Sequence, residues 1–188
     1  MLEIEVKLEI DDIDDMRQII LKNGFKSVSP YTFEHNTIYD TADRQMKKKG
    51  CLIRLRKKSI KNREENCILT VKRPPSVPVP SSQYKSREEI ESKISNPEAI
   101  TALLHEMQLD VFFIYEKYRE VFKGIDLPII ITLDNTPIGN YIEIESSPEL
   151  IDQTAIKLGF SKDHYLTDTY YDLFFKHPKS KENRFMQF

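Results

Sequence analysis

Apolar and polar residues alternate along much of this chain with a period of two, which is the spacing of β-strands that bury one face. The first segment shows the pattern clearly, since residues 2–10 place apolar side chains at even positions and charged side chains at odd positions. The alternation predicts strands over residues 2–10, 32–40, 51–58, 67–73, 84–91, 111–123, 129–135 and 140–145. Because successive side chains point to opposite faces, each of these strands has one apolar and one charged face.

Three other segments have the apolar spacing of amphipathic helices, at residues 13–23, 97–107 and 148–158. Residues that cap helix N-termini precede all three. Strands outnumber helices, and short links join most of them, so we expect an α+β fold in which an antiparallel sheet closes or rolls into a barrel with the helices packed outside. The predicted connections include a polar hairpin at residues 60–66 and a stiff loop rich in proline and serine at residues 74–82.

The overall composition narrows the function classes. The 188 residues are 39% hydrophobic, and we interpret residues 1–188 as a single domain, with two small domains as the alternative. The net charge of -2 gives no reason to expect nucleic acid or an anionic membrane as a partner. No apolar run approaches the ~20 residues of a membrane span, and the N-terminus lacks a signal pattern, so we expect a cytoplasmic protein. Cys51 and Cys67 lack the spacing of a zinc site and are expected to be reduced thiols.

The charged faces of the predicted strands carry like charges at neighbouring positions. Carboxylates recur at Glu3, Glu5, Glu89, Glu91, Asp134, Glu143 and Glu145, and basic residues recur at Lys7, Arg54, Arg56, Lys72, Lys85, Arg87, Lys117 and Arg119. Two interpretations are open, because alternation does not distinguish the solvent side of a sheet from the inside of a barrel. Like charges side by side destabilise a solvated sheet, and this favours the inside of a barrel.

Basic residues and carboxylates inside one barrel would form a site for a polyphosphate and a metal ion. Arginines bind phosphate oxygens in pairs, lysines add point charges, and carboxylates hold a hard divalent cation. Residues 47–49, a run of lysines, are interpreted as a solvated turn at the mouth of the barrel. The aromatic residues of the sixth predicted strand have two possible roles, which are stacking on an organic group of the substrate and packing against the helices. These residues are Phe112, Phe113, Tyr115, Tyr118 and Phe122.

Several short motifs occur in a fixed order along the chain. They are Glu3-Ile4-Glu5-Val6-Lys7, Tyr39-Asp40-Thr41, Leu52-Ile53-Arg54-Leu55-Arg56, Leu69-Thr70-Val71-Lys72, Arg87-Glu88-Glu89-Ile90-Glu91, Glu116-Lys117-Tyr118-Arg119, Leu133-Asp134 and Tyr141-Ile142-Glu143-Ile144-Glu145. In this order and spacing the chain resembles the CYTH family of triphosphate tunnel metalloenzymes, which includes class IV adenylyl cyclases, thiamine triphosphatases and inorganic triphosphatases. The segment after residue 168 is similar to the family's closing motif, but it has Thr169 in place of serine and Asp172 in place of glutamate.

The resemblance implies an eight-stranded antiparallel tunnel that binds a triphosphate together with Mg²⁺ or Mn²⁺. It implies metal ligands at Glu3, Glu5, Glu143 and Glu145, with Asp134 nearby. It also implies a phosphate clamp of Lys7, Arg54, Arg56, Lys72, Lys117 and Arg119, extended by Lys85 and Arg87. The catalytic centre implied in this way consists of Glu3, Glu5, Lys7, Glu143 and Glu145, while Glu89 and Glu91 hold a second ion or orient the arginines.

Three functions are compatible with these residues. The leading hypothesis is metal-dependent hydrolysis of a small-molecule triphosphate, which is tripolyphosphate, a nucleoside triphosphate or thiamine triphosphate. The alternative is a class IV-type adenylyl cyclase that converts ATP to cyclic AMP and pyrophosphate, but no adenine pocket is visible in the sequence. A non-catalytic polyphosphate-binding or nucleotide-binding module ranks third, since an anion binder has no need of four metal-side glutamates. A monomer or a homodimer is expected.

Overall fold

The computed structural model describes residues 2–60, 63–76 and 83–188. Within these residues, eight antiparallel strands close into a barrel in the order β1-β5-β4-β3-β2-β6-β7-β8. The strands are β1 (Leu2–Ile10), β2 (Phe25–Asp40), β3 (Leu52–Ile60), β4 (Arg63–Arg73), β5 (Lys85–Ile94), β6 (Asp110–Gly124), β7 (Ile130–Thr136) and β8 (Gly139–Glu145). The helices in the same residues are α1 (Ile13–Lys22), α2 (Gln45–Lys48), α3 (Pro97–Glu106), α4 (Pro148–Lys157) and α5 (Tyr170–Lys176), with short 3-10 helices at Lys162–His164 and Pro178–Lys181. The predicted α+β fold with an eight-stranded antiparallel barrel is confirmed.

Strand β2 is longer than its sequence pattern indicates, since it begins at Phe25 rather than at residue 32. Its pairing with β6 shifts register between Ser27 and Ser29 and again between Ser29 and Thr32. Bulges of this kind insert extra residues and break the alternation of faces, so a period of two does not reveal the first part of the strand.

The three predicted helices form, and the structure shows what starts them. The Asp12 carboxylate accepts hydrogen bonds from the backbone N–H groups of Asp14 and Asp15 at 2.8 and 2.9 Å, which caps α1. Asn96 caps α3 in the same way, through the N–H of Ala99 at 3.0 Å. The expected capping residue of α4 makes no side-chain hydrogen bond to the helix, which starts with a proline in its first turn instead.

Two short helices were missed by the sequence patterns. Helix α2 replaces the solvated turn that we expected at residues 47–49, and the Asp40 carboxylate holds it by accepting the N–H groups of Met46 and Lys47 at 2.9 and 3.1 Å. Helix α5 is capped by Thr169, whose hydroxyl accepts the N–H of Asp172 at 3.2 Å. Helices this short do not extend over enough residues to show a helical period.

The main apolar core lies outside the barrel rather than within it. The outer faces of β1, β7 and β8 pack against the apolar faces of α1 and α4, and the fully buried members of this cluster include Leu8, Ile20, Leu133, Ile142 and Ile151. Burying one such side chain stabilises the fold by about 1.5–3 kcal/mol. Since the apolar faces are directed outward to the helices, the charged faces are directed into the barrel, as the second interpretation of the sequence predicts.

Some sequence-based expectations fall on residues that the structure does not describe. Residues 61–62 of the predicted hairpin connection and residues 77–82 of the predicted proline-rich loop lie outside the described residues. On either side of the hairpin, β3 and β4 continue further than predicted, to the pair of Ile60 with Arg63. Among the residues that are described, no helix has the length and apolar character needed to cross a membrane. The single domain over residues 1–188 stays a prediction.

Candidate active site

The inner faces of the strands surround a cavity of about 210 Å³. Nearly all charged residues selected from the sequence line it, namely Glu3, Glu5, Lys7, Arg54, Arg56, Lys72, Lys85, Glu89, Glu91, Lys117, Arg119, Glu143 and Glu145. Two selected residues lie elsewhere. Arg87 lines a second, neighbouring cavity, and Asp134 is fully buried in the barrel wall.

Strand order places the carboxylates and the arginines on opposite walls. β1 and β8 are neighbours in the barrel, and their register sets Glu5 beside Glu145 and Lys7 beside Glu143. β2, β3 and β6 are neighbours on the other side of the ring, where β3 contributes Arg54 and Arg56. We call the first wall, with Glu3, Glu5, Glu143 and Glu145, the carboxylate wall, and the second wall, with Arg54, Arg56, Lys117 and Arg119, the basic wall. Arg119 lies where the two walls meet and also donates to Glu143 at 2.5 Å.

Lysines neutralise most of the carboxylate wall. Lys72 donates to Glu3 at 2.5 Å, Lys85 donates to Glu5 at 2.6 Å, and Lys7 donates to Glu143 at 2.7 Å. Burial alone would raise the pKa of Glu5, but the neighbouring lysines lower that pKa to about 2. Burial is likewise outweighed at Glu143, where Lys7, Arg119 and Lys117 hold the pKa well below its ordinary value.

Glu145 differs from the other three glutamates of this wall. It is partly buried, and we find no ion pair for it within the described residues. Its burial, together with the charges of Glu3 and Glu5, raises its pKa to about 7. When Glu145 is ionised, the carboxylate wall has one negative charge more than its lysines compensate, and a cation placed there would supply the missing charge.

The basic wall is held in place by neutral and acidic partners. Arg54 donates to the hydroxyl groups of Thr70 and Tyr115, both at 3.3 Å, and Arg56 donates to the side-chain oxygen of Asn36 at 3.0 Å. Burial opposes ionisation of the Tyr115 hydroxyl, but Arg54, Lys117 and Arg56 together lower its pKa to about 8. Such a low pKa for a buried tyrosine reflects the strength of the positive field in the cavity.

Asp134 is engaged by basic residues in the wall rather than exposed to the cavity. Arg119 forms a two-pronged contact with it, at 2.6 and 2.5 Å, and Lys117 donates to it at 3.0 Å. The Tyr170 hydroxyl donates to the same carboxylate at 2.6 Å. Asp134 is completely shielded from solvent. The carboxylate thereby fixes the directions of Arg119 and Lys117, a task that the sequence did not assign to it.

Glu89 and Glu91 lie close to an arginine and not only to each other. The nearest oxygen of each is 3.7 Å from the same terminal nitrogen of Arg54. Glu91 also accepts a hydrogen bond from the Thr70 hydroxyl at 2.7 Å, and Glu89 lies 3.5 Å from Lys72. These contacts are suited to holding the side chains of Arg54 and Lys72 in fixed directions.

The C-terminal segment covers part of the cavity. Thr169, Tyr170 and Tyr171 all line it, and the Tyr170 ring lies 4.4 Å from the Lys7 ammonium group and 4.8 Å from that of Lys117. The two departures from the family's closing motif preserve a capping box, because the Asp172 N–H donates to the Thr169 hydroxyl at 3.2 Å and the Thr169 N–H donates to the Asp172 carboxylate at 3.1 Å.

A second cavity of about 250 Å³ adjoins the first and shares Lys72, Lys85 and Tyr171 with it. Phe112 lines this cavity, and so does Lys47, whose ammonium group lies 3.9 Å from the centre of the Tyr171 ring. The aromatic residues of β6 thus differ in what they face. Phe112 faces a cavity, whereas the ring of Phe113 packs 5.6 Å from that of Phe174 in α5.

Several residues of the barrel interior lie outside the pattern of like charges. Glu34 and Asn36 of β2 are 1% and 0% exposed, and Thr70, Tyr115 and Tyr170 are also buried. Parity along residues 32–40 could have placed Glu34 and Asn36 on one face. The like-charge pattern does not single them out, because Asn36 and Ile38 separate the two carboxylates of this face, Glu34 and Asp40, and no like charge lies two positions from Glu34.

The donors of the carboxylate wall fit a hard divalent cation. Carboxylate oxygens are the ligands that Mg²⁺ and Mn²⁺ prefer, and the excess negative charge at Glu145 favours a bound cation. In the part of the chain that is described, no three acidic, histidine or cysteine side chains meet closely enough to hold a metal ion as they stand. Since lysines hold three of the four glutamates, these side chains would have to change partners for a cation to bind.

Known proteins resemble this chain in sequence and in fold. It is 26% identical over 183 residues to a putative adenylate cyclase of Methanocaldococcus jannaschii, a match that covers 92% of this chain and 98% of the relative. A putative adenylate cyclase from Vibrio parahaemolyticus has a similar structure, with a TM-score of 0.77 at 17% identity over 92% of this chain and 97% of the other. A putative adenylyl cyclase from Hippeastrum, described as having a dominant triphosphatase activity, superimposes with a TM-score of 0.62 at 21% identity and covers 93% of this chain and 95% of its own.

The family assignment rests on most of the chain. The sequence matches the CYTH domain over residues 1–170, a range that contains the whole barrel and every charged residue of the cavity. This chain therefore belongs to the CYTH domain family.

Proposed function

We propose that this protein is a metal-dependent triphosphatase, which hydrolyses a phosphoanhydride bond of a small-molecule triphosphate bound inside the barrel. The observation that carries the proposal is the opposition of a carboxylate wall and a basic wall across one cavity of about 210 Å³. The candidate substrates are tripolyphosphate, a nucleoside triphosphate and thiamine triphosphate. The proposal keeps the expectation of a cytoplasmic, single-domain protein that acts as a monomer or homodimer, without nucleic acid or membrane partners.

In this proposal Glu3, Glu5, Glu143 and Glu145 would hold Mg²⁺ or Mn²⁺. When bound, the ion would neutralise phosphate charge and polarise the bond to be broken. Asp134 was included among the nearby metal residues on resemblance alone, and its contacts support a positioning role for Arg119 and Lys117 instead.

The basic wall would bind the phosphate chain. Arg54 and Arg56 present paired N–H groups to phosphate oxygens, while Lys117 and Arg119 reach it from directions fixed by Asp134. On the carboxylate wall, Lys7, Lys72 and Lys85 could donate to phosphate oxygens once their glutamates bind a cation. Glu89 and Glu91 would orient Arg54 rather than hold a second ion, in keeping with their distances of 3.7 Å. Arg87, on the second cavity, would contact substrate only beyond the triphosphate.

Hydrolysis then needs little covalent chemistry from the protein. Water attacks the terminal phosphorus atom, the bond from that atom to the bridging oxygen breaks, and orthophosphate leaves together with the shortened diphosphate. The proton of the attacking water passes to solvent at neutral pH. The protein contributes by holding the phosphate chain still and by placing positive charge where negative charge develops.

Adenylyl cyclase activity is the second candidate, and one observation favours it. The second cavity, with Phe112 and Tyr171 in its lining, adjoins the triphosphate site and offers space for an organic group. In this reaction the ribose 3′-hydroxyl attacks the α-phosphorus of ATP, and pyrophosphate leaves. The names of the archaeal and bacterial relatives also favour adenylyl cyclase activity, while the description of the Hippeastrum protein favours hydrolysis.

A product analysis tests the proposal directly. The purified protein is incubated with tripolyphosphate or with ATP, each with Mg²⁺ or Mn²⁺, and all products are resolved by chromatography. Orthophosphate without a cyclic nucleotide would support the triphosphatase, and cyclic AMP with pyrophosphate would support the cyclase. Tight triphosphate binding without any product would identify a non-catalytic binding module and would overturn both enzyme assignments.

A further inference from the structure

Glu34 is a buried carboxylate that the proposed function does not use. It lies on the inner face of β2 and is 1% exposed. Its register neighbours are Lys58 on β3 and Lys117 on β6, and its oxygens lie 3.3 Å from Lys58, 3.4 Å from Arg56 and 3.9 Å from Lys117. Glu34 is therefore an anion surrounded by cations.

The basic residues of β3 continue past the cavity as far as Glu34. Leu52, Arg54, Arg56 and Lys58 alternate along the inner face of this strand. Leu52 lines both cavities, Arg54 and Arg56 line the first, and Lys58 lies beyond it. A chain of phosphates that enters from the second cavity therefore meets Arg54 and Arg56 before it reaches Glu34.

The contacts of Glu34 are electrostatic rather than tightly hydrogen-bonded. Its distances to the three cations exceed the ordinary 2.7–3.2 Å of such hydrogen bonds. Its Oε2 atom is buried and has no hydrogen-bond partner among the described residues. Burial opposes ionisation, but Arg56, Lys117, Arg119 and Lys58 hold the pKa of Glu34 below its ordinary value, so the group stays negatively charged.

We propose that Glu34 is an end stop for the phosphate chain and determines substrate specificity. Its carboxylate occupies the place of a further phosphate on the basic side chains and repels any phosphate that advances past Arg56, because like charges interact strongly in a buried site. A chain can then enter only by a free end, with its terminal phosphate at a fixed depth. The inference rests on the proposed function, and it adds that the protein selects chain ends and gains no affinity from a phosphate beyond Arg56.

A purely structural role for Glu34 is the competing interpretation. Buried cations need a counter-charge, so the carboxylate could serve only to keep Arg56, Lys58 and Lys117 folded into the barrel. The two interpretations differ in one measurable quantity, which is the dependence of phosphate binding on chain length.

The test compares tripolyphosphate with long linear polyphosphate by calorimetric titration in buffer with a chelator, so that binding is measured without turnover. The variants are Glu34→Gln and, as a matched control, Glu120→Gln. The control removes the same charge from the outer face of β6, where Glu120 accepts a hydrogen bond from Arg17 at 2.8 Å. The ratio of the two affinities should be the same in the wild type and in Glu120→Gln, because the end stop holds the terminal phosphate at the same depth in both. In Glu34→Gln the freed cations reach one more phosphate, and the preference for long chains over tripolyphosphate should rise at least about ten-fold.

Each outcome is decisive. An unchanged affinity ratio in folded Glu34→Gln overturns the end stop and leaves the structural role, and so does a wild type that does not bind tripolyphosphate. If Glu34→Gln does not fold, Glu34→Asp keeps the charge but withdraws it by one methylene group, and the ratio should still rise several-fold. Phosphate release with Mg²⁺ or Mn²⁺ is measured separately, so that loss of the proposed function and loss of the end stop are distinguishable.

Discussion

Glu34 and Glu145 are the same kind of residue on the inner surface of the same barrel, but their surroundings have opposite charge. Arg56, Lys58 and Lys117 surround Glu34, and its pKa is lowered despite burial. Glu145 is partly buried near other glutamates, and its pKa is raised to about 7. Glu34 on the basic side of the barrel thus has counter-charges from the protein, whereas Glu145 on the carboxylate wall has no ion pair within the described residues.

This difference shows where each partner of a metal–triphosphate complex would be attracted. A buried charge is tolerated when it is paired, and an unpaired one favours binding of an opposite charge from solution. The carboxylate wall would attract a cation, while the basic wall, apart from the position held by Glu34, would attract an anion. Substitutions on either wall therefore test this contrast.

The largest effect is expected on catalysis when the carboxylate wall loses a cation ligand. Glu5→Gln should lower the rate of orthophosphate release by on the order of a thousandfold, since a metal ion stabilises the transition state by several kcal/mol. Single-turnover measurements with tripolyphosphate and Mg²⁺ would show it, with Glu120→Gln as the control. Full activity of Glu5→Gln would rule out this wall as the metal site.

Loss of the charge at Asp134 should weaken the whole barrel wall. Asp134→Asn leaves Arg119 and Lys117 buried without their shared carboxylate, which is expected to lower the free energy of unfolding by about 3–5 kcal/mol. Denaturant titration measures the change. A shift of under 1 kcal/mol, comparable to that of an exposed ion pair, would show that the contact is dispensable.

Glu145 should destabilise the protein when no metal is present. Because its folded pKa is raised from 4.5 to about 7, the folded state holds a proton that the unfolded chain has released, and stability is lost as the pH rises through that interval. Glu145→Gln should therefore stabilise the metal-free protein above pH 7 by roughly 1–2 kcal/mol, once solvent screening of this partly exposed group is allowed for. Saturating Mg²⁺ should cancel the advantage, and an equal gain with and without metal would contradict the explanation.

Glu34 should have the opposite pH dependence. Its folded pKa lies below the ordinary 4.5, so its stabilising contribution is present above that pH and is lost as the pH falls through the folded pKa. The wild type should be more stable than Glu34→Gln near neutral pH, and the difference should shrink below 4.5. Thermal unfolding of both proteins along a pH series measures this smaller effect, and a constant difference would show that charge is not its cause.

Much of the fold follows from local patterns. Strand β1 matches its predicted bounds, and the predicted helices begin where capping residues or prolines allow them. The beginning of β2 escaped prediction because bulges interrupt the alternation of faces. Helices α2 and α5 escaped because they are short and depend on Asp40 and on the Thr169 capping box rather than on a repeating apolar face.

Most of the charged residues that line the cavity could also be predicted from the sequence. Like-charge pairs at alternate positions identified nearly all the charged residues that line it. Glu34 was not identified, because no like charge lies two positions from it in the sequence. The charges that surround it come from Lys58 and Lys117, which are its neighbours on two other strands. The position of Asp134 in its strand indicated its face but not that Arg119, Lys117 and Tyr170 surround it.

Which residues share a face of each strand follows from the amino-acid order alone, since the alternation of side chains is a local property of the backbone. The inward direction of the charged faces is instead a property of the folded barrel, because inside and outside exist only once β1 pairs with β8 and the helices cover the outer faces. Closure also decided the ion pairs, such as Lys7 with Glu143 at 2.7 Å, which are set by strand register between distant segments. The different environments of Glu34 and Glu145 arise in the same way, since the charge around a buried residue depends on the neighbouring strands and not on its own sequence context.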